Sequence, residues 1–345
     1  MQALILAGGK GTRLRPLTVY TPKPVVPVLN RPFLLYQLDL LRNAGITDIT
    51  LSLSYQPDKI EHIVGSGSEF GVRLRYITEP SPMGTGGAYR FAAESLTETT
   101  IVFNGDILTN LDIRKVMDLH ESKKAAATIT LAPVDDPSRY GLVQTGPDLQ
   151  VERFIEKPKA GDLADVTANT INAGVYILEP SILDLIPKDA NRSFEYDVFP
   201  EILKREMPFY AYIMGGEYWL DIGTPPSYLQ AHHDLLGGRV PGFETVRSTN
   251  SDVATAAEVD KLSVIGDGCT IKPGARIVNS VIGPGVNIEE KGVVENSVIW
   301  SHTRVSSFAA VRDAIIGRSC HIGRYASASG AVLGDKTTLT DYTQV

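Results

Sequence analysis

Ile265, Ile282, Ile299, Ile316 and Leu333 stand at a constant interval of 17 residues, and Ile271, Ile288, Val305, Ile322 and Leu339 keep the same interval. A third column, Ile277, Val294, Val311 and Ala328, runs in step with them. Within one period the apolar positions are 6, 6 and 5 residues apart, which is a hexapeptide repeat with one residue removed at one corner of each turn. A unit this short buries nothing alone, so successive units must stack, and three faces per period predict a parallel β-helix of about five coils. An isolated surface strand would not hold three columns in register over four or five periods.

The register also settles the two cysteines. Cys269 and Cys320 lie in one column three periods apart, and coils stacked at strand spacing separate them by ~14 Å. A disulfide needs Cα atoms closer than about 7 Å, so both thiols are expected free and the setting reducing and cytoplasmic. The opening apolar run, Ala3–Ala7, is too short for a secretory signal, and no stretch approaches a membrane span.

Upstream of the repeat, short β-branched runs alternate with helical patterns to about residue 236. Ala3–Leu6 reads as a buried strand, Pro32–Asn43 as a helix with Leu34, Leu35, Leu38 and Leu41 on one face, and Ile49, Leu51 and Leu53 as the next strand. Further strands are expected near Leu74–Ile77, Ile101–Asn104, Ala127–Leu131 and Ala173–Leu178. The fold class expected is therefore α/β: a Rossmann-like, mostly parallel sheet with helices on both faces, followed by the β-helix. The domains are 1–236, a Gly-, Pro- and Ser-rich linker at 237–262, and the repeat at 263–345.

A formal charge of −7, with 43% hydrophobic and 21% charged residues, excludes disorder and argues against nucleic-acid binding. That total hides an asymmetry. Lys10, Arg13, Arg15, Lys23 and Arg31 all precede the first acid, Asp39, so the first 38 residues carry +5 and the rest −12. The cations surround Gly8-Gly9-Lys10-Gly11-Thr12-Arg13, directly after a strand, where turn N–H groups and positive side chains can converge on phosphate oxygens. The string is neither a Walker loop nor a dinucleotide fingerprint. Read alone, it is also compatible with a bare glycine-rich turn.

The longer string, Gly8 to Thr18 followed by Pro22-Lys23-Pro24, resembles the signature of the sugar-1-phosphate nucleotidylyltransferases. The family's later motifs follow in order: Pro82 to Gly87, Asn104-Gly105-Asp106, Tyr140-Gly141, Glu156-Lys157-Pro158, Asn172 to Tyr176 and Trp219 to Pro225. The resemblance covers about residues 1–236 and leans toward the mannose-1-phosphate guanylyltransferase branch, and in this family a C-terminal left-handed β-helix is a frequent companion. It implies that a sugar 1-phosphate attacks the α-phosphorus of a nucleoside triphosphate, most favourably GTP with mannose 1-phosphate, and that pyrophosphate leaves. No protein nucleophile is required, because the attacking phosphate is already ionised.

By that resemblance Arg13 and Lys23 serve the triphosphate, and nucleotide contacts fall at Leu6, Ala7, Gly8, Gly9, Gly11, Thr12, Gly84 and Thr85. Asp106 and Asp221 bind Mg²⁺, which favours an octahedral oxygen set. Gly141, Glu156 and Asn172 take the sugar, and Lys157 its phosphate. Read by themselves, Asn104-Gly105-Asp106 is equally a simple turn, Asp221 could cap a helix near Pro225, and Glu156-Lys157 could be a surface ion pair. Glu79 addresses the base, since a carboxylate only accepts hydrogen bonds and guanine offers N1–H and N2–H₂ side by side.

Alternatives from the same residues are a glucose-1-phosphate thymidylyl- or uridylyltransferase, a non-catalytic sugar-nucleotide-binding subunit, or a second, acyltransferase activity in the β-helix. His302 and His321, 19 residues apart, fall out of register and do not pair as a base. The repeat domain is expected to serve homo-oligomerisation or regulation, with no nucleic-acid or membrane partner.

Overall fold

The computed structural model describes residues 1–158, 168–243, 248 and 250–345. The chain packs into two compact bodies that do not follow chain order: Met1–Lys10 with Leu34–Trp219, and Gly11–Phe33 with Leu220–Val345. This spatial division differs from the expected division of the chain at residue 236. The cation-bearing segment 11–33 leaves the first strand and belongs to the body that contains the β-helix.

The first body is built on a nine-stranded sheet. Gln2–Leu6 lies at its centre, parallel to Asp48–Leu53 on one side and to Thr100–Asn104 on the other, with Arg73–Thr78 parallel at the edge. Beyond Thr100–Asn104 the sheet turns mixed, because Thr170–Leu178 runs antiparallel to it and to Ala127–Pro133. Central strands such as Ala3-Leu4-Ile5 and Ile101-Val102-Phe103 are wholly buried, as expected when a parallel sheet is covered on both faces. Helix Leu34–Asn43 starts two residues later than expected. Pro32 instead pairs with Pro27 in a short antiparallel bridge, and Phe33 N–H donates to Val26 O at 3.0 Å.

In the second body the repeat forms three parallel sheets, of six, five and five strands, closing a left-handed β-helix. The columns Ile265 to Leu333, Ile271 to Leu339 and Ile277 to Ala328 supply its apolar interior. Its corners turn through left-handed residues in the same register: Asn279, Asn296 and Asp313 have φ of 46°, 49° and 48°, and Gly330 follows at 64°. Asn is among the few side chains that accept this region, and here the amides also pair up the ladder, Asn279 to Asn296 at 3.0 Å and Asn296 to Asp313 at 3.2 Å. Cys269 and Cys320 are buried and free.

The stack starts earlier than expected. Asp252-Val253 pairs with Thr270-Ile271, and Glu258-Val259 with Arg276-Ile277, so part of the stretch expected as linker at 237–262 is a further coil. Val253, Val259, Ile265 and Ile271 are each six residues apart, so this coil keeps the corner residue that later coils lose and falls outside the period of 17. Residues 244–247 and 249 of the expected linker lie outside the described residues. Among the described residues, no helix is long and apolar enough to cross a membrane.

Candidate active site

Three expected residues meet in the second body. Arg13 Nη2 lies 3.5 Å from Asp221 Oδ2, and Lys23 Nζ lies 3.9 Å from Asp221 Oδ1. Their exposures differ: the Arg13 side chain is 62% accessible, whereas that of Lys23 is 10% accessible, held within the turn Pro22–Val26. Asp221 Oδ1 also accepts from Gly223 N–H at 2.7 Å. It does not cap the helix Pro225–Leu236, because Thr224 does so in a reciprocal pair with Ser227. Two cations and a carboxylate thus sit together without serving the helix end, an arrangement suited to a polyanion and its counter-ion.

The remaining candidates belong to the first body. Leu6 ends the central strand and Ala7, Gly8 and Gly9 follow it, and Gly8 faces Glu79: a Cβ added to Gly8 would lie 2.9 Å from Glu79 Oε1. Glu79 is 9% exposed and accepts from Ser52 Oγ at 2.9 Å and Met83 N–H at 3.3 Å. Asp106 follows strand Thr100–Asn104 at a partly buried position. Its turn is held from below, since buried Gln37 donates Nε2–H to Asn104 O at 2.9 Å and to Ile107 O at 3.1 Å. Among the described residues, no three His, Cys, Asp or Glu side chains gather into a cage of their own.

Glu156 ends the edge strand Val151–Glu156 and Lys157 follows it. The Lys157 ammonium is 3.8 Å from Glu156 Oε1 and largely exposed, while the Glu156 side chain is 13% accessible, so this is not a plain surface pair. Gly141 is required beside it: a Cβ there would fall 2.7 Å from Glu156 Oε2. Asn172 donates to Tyr176 Oη at 2.8 Å and accepts from Gly174 N–H at 2.9 Å, which fixes its amide orientation. Burial raises the Glu156 carboxyl above its ordinary 4.5, the negative charge of Glu195 raises it further, and Lys157 opposes them.

Sequence reasoning did not single out Glu195. It sits in a π-helical turn, Phe194–Val198, a geometry frequent at functional sites. Phe194 packs on Tyr176 with ring centroids 5.3 Å apart, and Phe199 packs on Phe154 at 5.2 Å, which ties the turn to both strands that carry Asn172 and Glu156. Thr85, expected at the nucleotide, commits its hydroxyl here. It donates to Glu195 Oε2 at 2.9 Å and accepts from Phe194 N–H at 2.8 Å. Gly84 opens the helix Gly84–Phe91 just ahead of it. The only advance signal for Glu195 was an acid in an aromatic run, which has no local pattern.

A Rossmann-like α/β sheet, a glycine-rich turn after its central strand and a carboxylate beside two cations are the features of a nucleotidyl-transferring protein. The chain belongs to the nucleotidyl transferase family, whose match spans residues 2–237, and is a nucleotidyltransferase of nucleotide-sugar biosynthesis. Residues 244–345 match the left-handed β-helix domain of the EIF2B subunit epsilon. The chain is similar to a mannose-1-phosphate guanylyltransferase of Mycobacterium tuberculosis, 37% identical over 80% of this chain and 78% of that one. A mannose-1-phosphate guanyltransferase of Pichia angusta is 36% identical over 80% and 73%. Among solved structures, HddC from Yersinia pseudotuberculosis superposes with a TM-score of 0.58 at 33% identity, over 68% of this chain and 98% of that one. A candidate glucose-1-phosphate thymidylyltransferase from Bacillus anthracis gives 0.61 at 27% identity, over 67% and 94%.

Proposed function

We propose that this chain transfers GMP from GTP to mannose 1-phosphate and releases pyrophosphate. The observation that carries the reading is the run of relatives named for that activity, 34–39% identical over 66% or more of the chain. The site chemistry supports it. Arg13 can fork across two phosphate oxygens while Lys23, held in its turn, offers a point charge, and both stabilise the charge that develops on departing pyrophosphate. Gly141, Glu156 and Asn172 orient the hexose, and Lys157 draws its phosphate toward the α-phosphorus. The leaving group needs no proton from the protein at neutral pH.

Asp106 and Asp221 would hold a divalent cation. Their carboxylate oxygens are hard donors, and with water and phosphate oxygens they make the set that Mg²⁺ takes. When bound, the ion neutralises phosphate charge and polarises the phosphoryl oxygens. Self-association belongs to the same proposal. Exposed Phe308, Tyr325 and Tyr342 stack at 4.9 and 5.1 Å along one corner of the last coils and offer an aromatic surface for a second copy, which light scattering would test.

Pyrophosphate release from GTP, dTTP, UTP, ATP and CTP, each paired with mannose, glucose, heptose and N-acetylglucosamine 1-phosphates, tests the reading. GTP with mannose 1-phosphate should give the highest kcat/KM. Preference for dTTP with glucose 1-phosphate would replace the reading with thymidylyl transfer, and silence across all pairs with Mg²⁺ would replace it with a binding subunit.

A further inference from the structure

The β-helix has one corner column built almost wholly of glycine: Gly266, Gly283, Gly317 and Gly334 recur in the 17-residue register. The reason is close approach of the next coil. A Cβ on Gly283 would sit 2.6 Å from Ser301 N, and one on Gly317 2.7 Å from Asp335 N. Position 300 of this column is tryptophan. Trp300 is 2% exposed, and its indole N–H donates out of the β-helix to the Tyr228 hydroxyl at 3.0 Å. Arg318, one coil on, holds its guanidinium 5.5 Å above the ring.

Tyr228, on helix Pro225–Leu236 and fully buried, passes the bond on: its hydroxyl donates to Pro27 O. Next to Pro27, Val26 N–H donates to Lys23 O at 3.2 Å, so the relay ends in the backbone of the cation-bearing turn. Two other contacts hold the same segment. Asn30 Nδ2–H donates to Ile282 O at 2.9 Å, and Pro16 lies over Gly334, where an added Cβ would come within 3.0 Å of it. A column in which glycine serves the β-helix has thus given one place to a side chain whose polar atom serves the segment carrying Arg13 and Lys23.

We infer that Trp300 is a positioning residue for nucleotide binding: through Tyr228 and Pro27 it fixes the turn that presents Lys23, so the β-helix is part of the triphosphate-binding machinery. The inference rests on the assignment of Lys23 to the triphosphate.

Trp300→Phe keeps an aromatic ring and removes the N–H, and Tyr228→Phe removes the relay from its centre. Loss of one such bond is worth about a three- to tenfold change. Each variant should raise the KM for GTP by that factor and leave the KM for mannose 1-phosphate within twofold. A merely structural role would lower Tm and kcat together without splitting the two KM values. As a readout independent of turnover, Trp300 becomes the sole indole in a Trp219→Phe chain, since the protein has two tryptophans. Titrating that chain with GTP and Mg²⁺ should shift Trp300 emission, and this measurement stands even where Trp300→Phe fails to fold. An unchanged GTP KM in a folded Trp300→Phe protein, or Trp300 emission unmoved by GTP in a Trp219→Phe chain that turns over, overturns the inference. A Trp219→Phe chain that shifts its emission with GTP, beside a wild type that releases no pyrophosphate, overturns the functional reading alone.

Discussion

Asp221 accepts from the backbone of Gly223 and faces the Arg13 guanidinium at 3.5 Å, so one carboxylate both shapes its own loop and offsets a cation proposed to bind phosphate. Its counter-charge and its proposed metal ligation give opposite signs on substitution. In Asp221→Asn, Arg13 and Lys23 lose a counter-charge, and GTP should bind about two- to fivefold more tightly in the absence of divalent metal. Mg²⁺-dependent turnover should fall at least about a hundredfold, because the substitution removes a carboxylate proposed as a metal ligand. Calorimetry in EDTA and pyrophosphate release with Mg²⁺ read the two effects; full turnover in the variant would reject the metal assignment.

Gln37 bonds both shoulders of the turn that carries Asp106. Gln37→Met keeps the length of the side chain and removes both donors, which leaves two buried carbonyls short of a partner. Stability should drop by about 1–2 kcal/mol in urea unfolding. If the turn positions Asp106, the Mg²⁺ concentration for half-maximal turnover should rise as well. A loss of stability with unchanged Mg²⁺ dependence would confine Gln37 to the fold.

The limits of the sequence reading have physical causes. A period enforced by stacking is visible along the chain, so the β-helix, its interior columns and the unpaired cysteines were all legible. Its first coil was hidden by one retained corner residue between Val259 and Ile265. The motifs brought Arg13, Lys23 and Asp221 to notice, but not the placement of segment 11–33, which depends on partners as distant as Tyr228 and Ile282. Gln37 was not singled out, because its role depends on the distant backbone of Asn104 and Ile107. Glu195 carries no pattern at all, because its proximity to Glu156 arises from packing of Phe194 and Phe199 on two separate strands.

Glu156 predicts a pH effect that isolates Glu195. Burial and the charge of Glu195 hold the Glu156 carboxyl above 4.5. A raised acid is protonated first in the folded state, so its contribution favours the fold below 4.5 and is lost as pH rises through the raised value. If Glu156 takes the sugar hydroxyls as proposed it does so as the carboxylate, and kcat/KM for mannose 1-phosphate should therefore fall on the acid side at a pH above that of an ordinary glutamate. Glu195→Gln should move this limb downward, while Lys157→Met, which removes the opposing charge, should move it upward. Substrate phosphates also titrate near pH 6, but they are common to every variant and cancel in the comparison. Coincident profiles would refute the coupling.

Both thiols should report opening of the β-helix. Burial raises the Cys269 and Cys320 thiols above the ordinary value, so little thiolate is present at pH 8 and none is accessible. Iodoacetamide should label neither in the native protein within the time that labels both in urea. A two-hydrogen mass gain on reduction would instead show a disulfide and break the register.

Glu79 supports a count of acceptors that separates guanine from thymine. An ionised carboxylate offers about four lone-pair sites. Ser52 Oγ–H takes one on Oε1 and Met83 N–H one on Oε2, which leaves one on each oxygen. Guanine presents two adjacent donors to such a pair, whereas thymine sets carbonyls beside its single N3–H and would face a negative charge. Glu79→Gln exchanges one acceptor for a donor at the same volume, so the kcat/KM preference for GTP over dTTP should shrink by at least about tenfold, more through GTP loss than dTTP gain. Gly8→Ala acts on the same carboxylate sterically, since its Cβ would press on Oε1 at 2.9 Å, and should shrink the preference in the same direction. An unchanged GTP preference in Glu79→Gln would remove Glu79 from base selection.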